Sequence, residues 1–491
     1  MKNLKLLKLK KNLLLVAAIF FIGFIQSLIG FTHAQTLDFT LTVPANPFQD
    51  ADVGAMAFAD IDNDGDQDLI ITGKGGPIKT TLYKNDGTGN FTAATGTPFV
   101  NVFDGSVGFA DVNNDGFIDL LITGSTSAPS RTANLYINNG NGTFSIATTP
   151  ITPSSAGDFA FADIDNDGDL DLIVTGLNAN DVGFTTLYRN LGNANFAAVA
   201  PSPFEQVGLS SVAFIDVDND GDRDVILAGE NSSATKSTKL YLNNGNGVFT
   251  LDVTNSFTGI ALGDIATADA NNNGYMDILI TGSSADGSIT KLYSNNGNGT
   301  FSEISGTPFP GTSVGAVEFA DFDNDGYQDV LLLGAGNFNG LSALAHIYKN
   351  EGNNTFTLAA EFIPTYLASA AIADIDGDND LDFIIGGTHF SQPIRNPKLY
   401  TNNLNTPSTV YENTDAVLIS YYPNPTKDVV FINTKSNMDK ITVLNAFGQT
   451  VMTKKVNSEN FEVNLSHFNT GFYFVKIEND RSHKTIKLYK N

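Results

Sequence analysis

Three observations predict an all-β chain: a seven-bladed β-propeller followed by a small C-terminal β-sandwich of the immunoglobulin-like kind. First, the pattern Asp-x-Asp/Asn-x-Asp/Asn-x-x-x-Asp begins at Asp60, Asp111, Asp163, Asp216, Asp269, Asp321 and Asp374, at steps of 51–53 residues. Second, each copy lies in a unit of short apolar runs separated by Gly, Asn and Asp turns, the signature of strands and hairpins. Third, residues 418–491 lack the pattern and differ in composition. Repeats of this period mean stacked supersecondary units, and about four strands per unit fit a propeller blade.

Each unit opens on an apolar anchor: Phe48, Phe99, Ile151, Phe204, Phe257, Phe309 or Phe362. A small-residue strand such as Gly54-Ala55-Met56-Ala57-Phe58-Ala59 follows, suited to a crowded inner position. After the Asp loop comes a continuous apolar run such as Leu69-Ile70-Ile71, the mark of a strand covered on both faces. A Gly ends it (Gly73, Gly124, Gly176, Gly229, Gly282, Gly334, Gly387). Next a Tyr recurs (Tyr83, Tyr136, Tyr188, Tyr241, Tyr293, Tyr348, Tyr400), and an Asn/Gly turn leads to a Phe, as in Asn138–Phe144. The seventh unit stops at Leu399-Tyr400-Thr401-Asn402-Asn403, before an outer strand. Leu37-Asp38-Phe39-Thr40-Leu41 is expected to supply that strand and close the ring, leaving no free edge.

Lys2, Lys5, Lys8, Lys10 and Lys11, the apolar run Leu13–Phe31 and Thr32-His33-Ala34 read as an export signal over residues 1–34, with Gln35 the new N-terminus. An uncleaved membrane anchor is the alternative, because about 19 apolar residues can span a bilayer. The net charge of −26 argues against nucleic acid as partner. With no cysteine there is no disulfide framework, so bound metal is a candidate stabiliser.

The Asp loops supply the ligands for such a metal. With the first Asp as position 1, side-chain oxygens fall at 1, 3, 5 and 9, and a backbone carbonyl at 7 completes the shell. The ligands are Asp60, Asp62, Asp64, Asp66 and Asp68 in loop one, and Asp111, Asn113, Asp115, Phe117 and Asp119 in loop two. Loop three has Asp163, Asp165, Asp167, Asp169 and Asp171; loop four has Asp216, Asp218, Asp220, Asp222 and Asp224. Loop five has Asp269, Asn271, Asn273, Tyr275 and Asp277; loop six has Asp321, Asp323, Asp325, Tyr327 and Asp329. Loop seven has Asp374, Asp376, Asp378, Asp380 and Asp382. An all-oxygen, flexible shell suits Ca²⁺, up to seven ions, better than Mg²⁺, and the lack of His and Cys disfavours zinc. An EF-hand is excluded, since Ile71 or Thr175 stands where it needs Glu and the flanks read as strands. Loop five, with two carboxylates, is expected to bind most weakly. Seven such crowds of carboxylates would repel one another without a cation, which separates them from ordinary Asp-Asn-Gly turns.

On these residues, 35–403 resembles the FG-GAP/VCBS repeat family of integrin-like propellers. The resemblance implies the propeller fold and calcium; it leaves activity open, because the fold hosts adhesins, lectin-like proteins and some polysaccharide lyases. Residues 404–417 form a polar linker. Residues 418–491 resemble the C-terminal sorting domain of type IX secretion, on Tyr422-Pro423-Asn424-Pro425, Gly471-Phe472-Tyr473 and the basic end Lys484–Lys490. A small accessory binding sandwich is the other reading. The sorting resemblance implies the type IX machinery as partner and a secreted or surface location.

The loops between the second and third strands lie opposite the Asp loops and vary most. Of the twelve Lys/Arg in residues 35–403, eight fall there: Lys74, Lys79, Arg131, Lys236, Lys239, Lys291, Arg395 and Lys398. Phe184, Phe338, His346, His389 and Phe390 join them. Long loops tolerate polar residues of any kind, but the set also suits a face for a glycan, anionic polymer or surface protein. The expected function is a non-catalytic adhesion or binding protein, monomeric; the alternative is a calcium-dependent polysaccharide lyase or another polysaccharide-active enzyme. No nucleophile or acid pair accompanies the histidines, so no catalytic residue is assigned.

Overall fold

The structure is a computed structural model. It describes residues 37–42, 48–127, 130–336, 342–388, 396–404, 419–422, 426–445, 450–468, 471–478 and 483–490. The export signal, most of the linker, Pro423–Pro425, Phe338, His389, Phe390 and Arg395 lie outside these residues. Among the described residues every regular element is a strand, and no helix is long and apolar enough to cross a membrane. The chain divides into two units, residues 1–406 and 407–491.

In repeat one, Met56–Ala59, Asp68–Lys74, Ile78–Asn85 and Phe91–Ala93 form an antiparallel sheet in chain order. Repeats two to five build the same four-stranded sheet. The second strand is buried on both faces: Leu69, Ile70 and Ile71 are fully enclosed, as their unbroken apolar run requires. The anchor explains the recurrent Tyr. Phe48 packs edge-on against Tyr83 at 5.1 Å and Phe91 at 5.7 Å, and the Tyr83 hydroxyl accepts the Gln49 amide at 2.8 Å. A Tyr both fills the core and satisfies a backbone donor that Phe would leave unpaired. Gly73 is obligatory for another reason: its φ is 142°, and a Cβ would come within 2.8 Å of the Ala51 backbone.

Repeats six and seven depart from the four-strand expectation. Phe356–Ala373 runs unbroken as the outer strand of repeat six and the inner strand of repeat seven, so the two share one seven-stranded sheet. Its last member is Phe39–Thr42, paired with Lys398–Asn402 in the register Phe39↔Asn402 to Thr42↔Leu399. This is the pairing expected from the missing outer strand. Phe39 takes the place that Phe91 holds in repeat one: it lies 5.5 Å from the anchor Phe362 and 5.1 Å from Phe383.

A second device ties each repeat to the one before. The Asn ending each third strand is buried, and its Nδ2 donates to the position-2 carbonyl of the preceding Asp loop. Asn138 reaches Ile61 at 2.7 Å, Asn243 reaches Ile164 at 2.8 Å and Asn402 reaches Phe322 at 2.8 Å. In the same way Asn85 of the first repeat reaches Ile375 of the seventh, at 2.7 Å. A cavity of about 200 Å³ is lined by a pair from every repeat, from Val53 and Gly54 through to Leu367 and Ala368.

The C-terminal unit is one hydrogen-bonded sheet in the order Ile419–Tyr422, Val429–Asn445, Gly471–Glu478, His483–Lys490, with Thr450–Asn464 also on Val429–Asn445. The runs at 429–433 and 440–444 are one strand, with register shifts between Asn433 and Lys440. Val430, Ile441, Val443, Val475, Ile477 and Leu488 lie in its core.

Candidate functional site

Each Asp loop joins an inner strand to the second strand, and its ends are fixed by pairing. The residue before position 1 faces the Asp of position 9, as in Ala59↔Asp68 and Ala162↔Asp171. Within the loop the first carboxylate caps the turn: Asp163 Oδ1 and Oδ2 accept the amides of Asp167 at 3.2 Å and Gly168 at 2.9 Å. Asp167 Oδ1 then accepts the Asp169 amide at 2.9 Å. These bonds hold loop three in a tight coil.

Five loops bring three carboxylates together, with one oxygen from each within 4.8 Å of the others. The groups are Asp60/Asp62/Asp64, Asp163/Asp165/Asp171, Asp216/Asp218/Asp224, Asp321/Asp323/Asp325 and Asp374/Asp376/Asp382. They are the five loops with carboxylates at all four side-chain positions. Each can hold a metal ion. The donors fit one: Asp62 Oδ1, Asp165 Oδ1, Asp216 Oδ1, Asp376 Oδ1 and Asp378 Oδ2 are buried oxygens with no hydrogen-bond partner. Buried carboxylate oxygens are costly unless paired or bound to metal, and an all-oxygen set is compatible with calcium.

Position 9 has a second task. Asp171 Oδ1 accepts the Asn190 amide at 2.7 Å and Oδ2 accepts the Ile164 amide at 3.2 Å, and the other repeats follow this scheme except the first, where Asp68 Oδ1 accepts the Asn85 amide but the buried Oδ2 has no partner. Burial pushes Asp68, Asp119 and Asp171 up to about 6 and Asp224, Asp329 and Asp382 up to about 7, against these amide donors. Position 7 turns its side chain outward onto the hairpin of its own repeat. A Cβ on Gly245 would meet the Asp222 carboxylate at 2.5 Å, and one on Gly140 would meet the Phe117 ring at 2.6 Å. This leaves position 7 its carbonyl as the inward donor, whether it is Asp, Phe or Tyr.

Loops two and five form no three-carboxylate group among the described residues. Their amides find partners instead: Asn113 Nδ2 donates to Asp115 at 3.0 Å, Asn271 Nδ2 to Ser294 at 2.8 Å and Asn273 Nδ2 to the Asn295 carbonyl at 3.0 Å.

Neighbouring loops are also linked. The position-4 Asn adopts a left-handed φ near 57° and donates across to the next loop, as Asn63 does to the Gly116 carbonyl at 3.1 Å. Loop seven has Gly377 there, with Asn379 at position 6, so it has no side chain to make this link to loop one.

The opposite face is less free than its composition suggests. Arg131 is almost enclosed and pairs with Asp181 at 2.5 Å; Lys239 pairs with Glu205 at 3.0 Å and Lys291 with Glu303 at 2.9 Å. Lys236 donates to Ser283 at 2.7 Å, and Lys74 lies over the Phe103 ring at 4.1 Å. His346 contacts Tyr348 and Glu361.

One cluster escaped the sequence reading. Asp158, Asp264 and Glu318 project from inner strands into an axial cavity also lined by Ser106, Ser211 and Ser369. Ser211 Oγ lies 3.3 Å from Asp158 and 3.2 Å from Asp264, yet can donate only one hydrogen. Burial, then the charges of Asp264 and Asp158, push Glu318 up to about 8. A carboxyl raised on folding lends most stability when protonated, and that stability is lost as pH rises from its unfolded value, near 4.3, through about 8. Glu318→Gln is therefore expected to melt several degrees above wild type at pH 9 and together with it at pH 4. Coincident melting at pH 9 would show that the carboxyl is not held uncharged.

Strand order, loops and repeat spacing define a propeller-type repeat protein with metal-compatible Asp loops. The chain carries FG-GAP-like repeats, matched at residues 60–122, 111–174, 216–280 and 280–332, and a secretion system C-terminal sorting domain, matched at 420–491. It is a secreted or cell-surface β-propeller addressed to the type IX secretion machinery. Comparison with curated proteins gives no match. Among solved structures it is similar to PorZ, a surface component of the type IX secretion system of Porphyromonas gingivalis, at 13% identity and a TM-score of 0.44, over 92% of this chain and 61% of that one. It thus spans less than two thirds of the PorZ chain. It is also similar to AofleA of Arthrobotrys oligospora (11% identity, TM-score 0.39, 67% of this chain and 90% of that one). The Aleuria aurantia lectin follows at 8% identity and a TM-score of 0.37, over 64% and 97%.

Proposed function

We propose that residues 35–403 form a seven-bladed, calcium-loaded propeller, and that it serves as a non-catalytic adhesion or binding protein for a glycan or surface protein. Residues 1–34 are then a removed export signal, 404–417 a linker and 418–491 a sandwich-type sorting domain. The observation that carries the calcium reading is the set of five carboxylate groups, four of which hold a buried oxygen without a hydrogen-bond partner. Asn85 bonded to Ile375, and Phe39 in the last sheet, support a ring of seven. Calcium at positions 1, 3, 5, 7 and 9 would stiffen one face and leave the other for ligand.

The axial depression lined by Val53, Gly54, Val314 and Gly315 lies at the inner-strand end away from the loops and suits a ligand contact. Among the described residues, the Lys79 and Lys398 ammonium groups on that face make no ion pair or hydrogen bond. An array of glycans and anionic polysaccharides, probed with the mature chain in calcium, tests this reading. Binding is expected, and the double variant Lys79→Glu/Lys398→Glu should weaken it tenfold or more. Unsaturated products from a polysaccharide would favour the lyase alternative instead.

A further inference from the structure

Three of the remaining four cations in residues 35–403, Lys84, Arg189 and Lys349, occupy one place in their repeats, directly after the recurrent Tyr. Each reaches back to the Asp loop of its own repeat. Lys84 Nζ lies 2.7 Å from Asp62 Oδ2, and Arg189 Nη1 lies 2.6 Å from Asp165 Oδ2. Lys349 Nζ lies 2.8 Å from Asp325 Oδ2 and also pairs with Asp323. Asp62, Asp165 and Asp323 all stand at position 3.

The next repeat lies against two of these contacts. A Cβ on Gly142 would come within 2.9 Å of Lys84 Nζ, and one on Gly247 within 2.5 Å of the Arg189 guanidinium. Arg189 also donates to the Asn246 carbonyl. The cation is thus held between its loop and the following hairpin, where a wandering surface side chain would not be.

In the other repeats the same place holds Ile137, Leu242, Ser294 and Thr401. The seven loops then fall into three kinds. Loops two and five give up carboxylates to Asn. Loops one, three and six keep all four and gain a cation. Loops four and seven keep all four and gain none at this place; the fourth cation, Arg223, stands within loop four at position 8 and makes no ion pair among the described residues.

We propose that Lys84, Arg189 and Lys349 are built-in counter-cations that set the metal response of loops one, three and six, an inference that rests on the calcium reading of the loops. They relieve carboxylate repulsion when metal is absent and compete with calcium for position 3 when it arrives. Loops four and seven, without this relief, bind calcium most tightly and lose most when it is removed. A single positive charge a few ångströms from a divalent ion changes its affinity roughly tenfold at the dielectric of an exposed loop.

Calcium titration calorimetry on the full chain, with melting temperatures in excess chelator, tests this. The variant Lys84→Met/Arg189→Met/Lys349→Met should bind calcium roughly tenfold more tightly at three sites and melt lower than wild type in chelator. Leu242→Lys, at a partly exposed position that tolerates the change, should weaken one of the tightest sites roughly tenfold and melt higher in chelator. Superimposable isotherms and chelator melting curves for all three proteins would overturn the proposal while leaving calcium binding intact. A wild type that takes up no calcium would overturn both.

Discussion

Excess chelator is expected to lower the melting temperature of the repeat unit by about 10 °C or more. At free calcium tenfold above a site's dissociation constant, each site adds about 1.4 kcal/mol, and five sites about 7 kcal/mol. That is comparable to the net stability of a whole domain. The five loops with grouped carboxylates carry the effect, loops four and seven most, because Asp216, Asp376 and Asp378 hold buried oxygens with no partner and no ion pair among the described residues relieves their repulsion once the ion leaves. Loops two and five contribute little, since Asn113 and Asn271 already use their amides within the protein. Scanning calorimetry with and without chelator, followed by calcium re-addition, measures the loss and its recovery. An unchanged transition would remove calcium as the stabiliser.

Deleting residues 35–42 should be as damaging. Phe39–Thr42 covers the edge of Lys398–Asn402, and Phe39 packs edge-on against Phe322, Phe362 and Phe383. Without it those rings and an open strand edge face water, which invites pairing with other chains. The single substitution Phe39→Asp places an unpaired charge among three aromatic rings and should cost about 3 kcal/mol or more. Thermal melting and light scattering report both consequences, lower stability and association. A truncated chain that melts like the full one and stays monodisperse would mean that the last sheet does not need its N-terminal strand.

What the sequence made legible, and what it hid, follows from how each feature repeats. The Asp loops, the anchors from Phe48 to Phe362 and the recurrent Tyr were visible because local chemistry demands the same residue at the same spacing in each unit. The strand at Leu37–Leu41 could be assigned because the seventh unit lacked one. Asn85, Asn138 and their equivalents were hidden inside Asn/Gly turns, where Asn is a natural turn former. Their real task, stapling one repeat to the loop of the last, links residues 77–80 apart in the chain, or 290 at the seam.

The axial carboxylates were hidden for the opposite reason. Asp158 and Asp264 share a place five residues before their loops in only two repeats and Glu318 stands alone three before its own, so no full repeat pattern marks them, and only the fold brings them to one cavity. The cations opposite the loops looked free because Arg131 and Lys239 find their acids, Asp181 and Glu205, far along the chain. The fused strand Phe356–Ala373 was hidden because both of its halves read as ordinary strands.

The calcium-loaded ring is tested most directly by native mass spectrometry of the mature chain after exchange into dilute calcium. The five grouped loops predict at least five retained calcium ions and no more than seven. Substituting Asp216 and Asp218 by Asn should remove one ion and leave the rest. A chain that retains no calcium at concentrations typical of extracellular fluid would contradict the account.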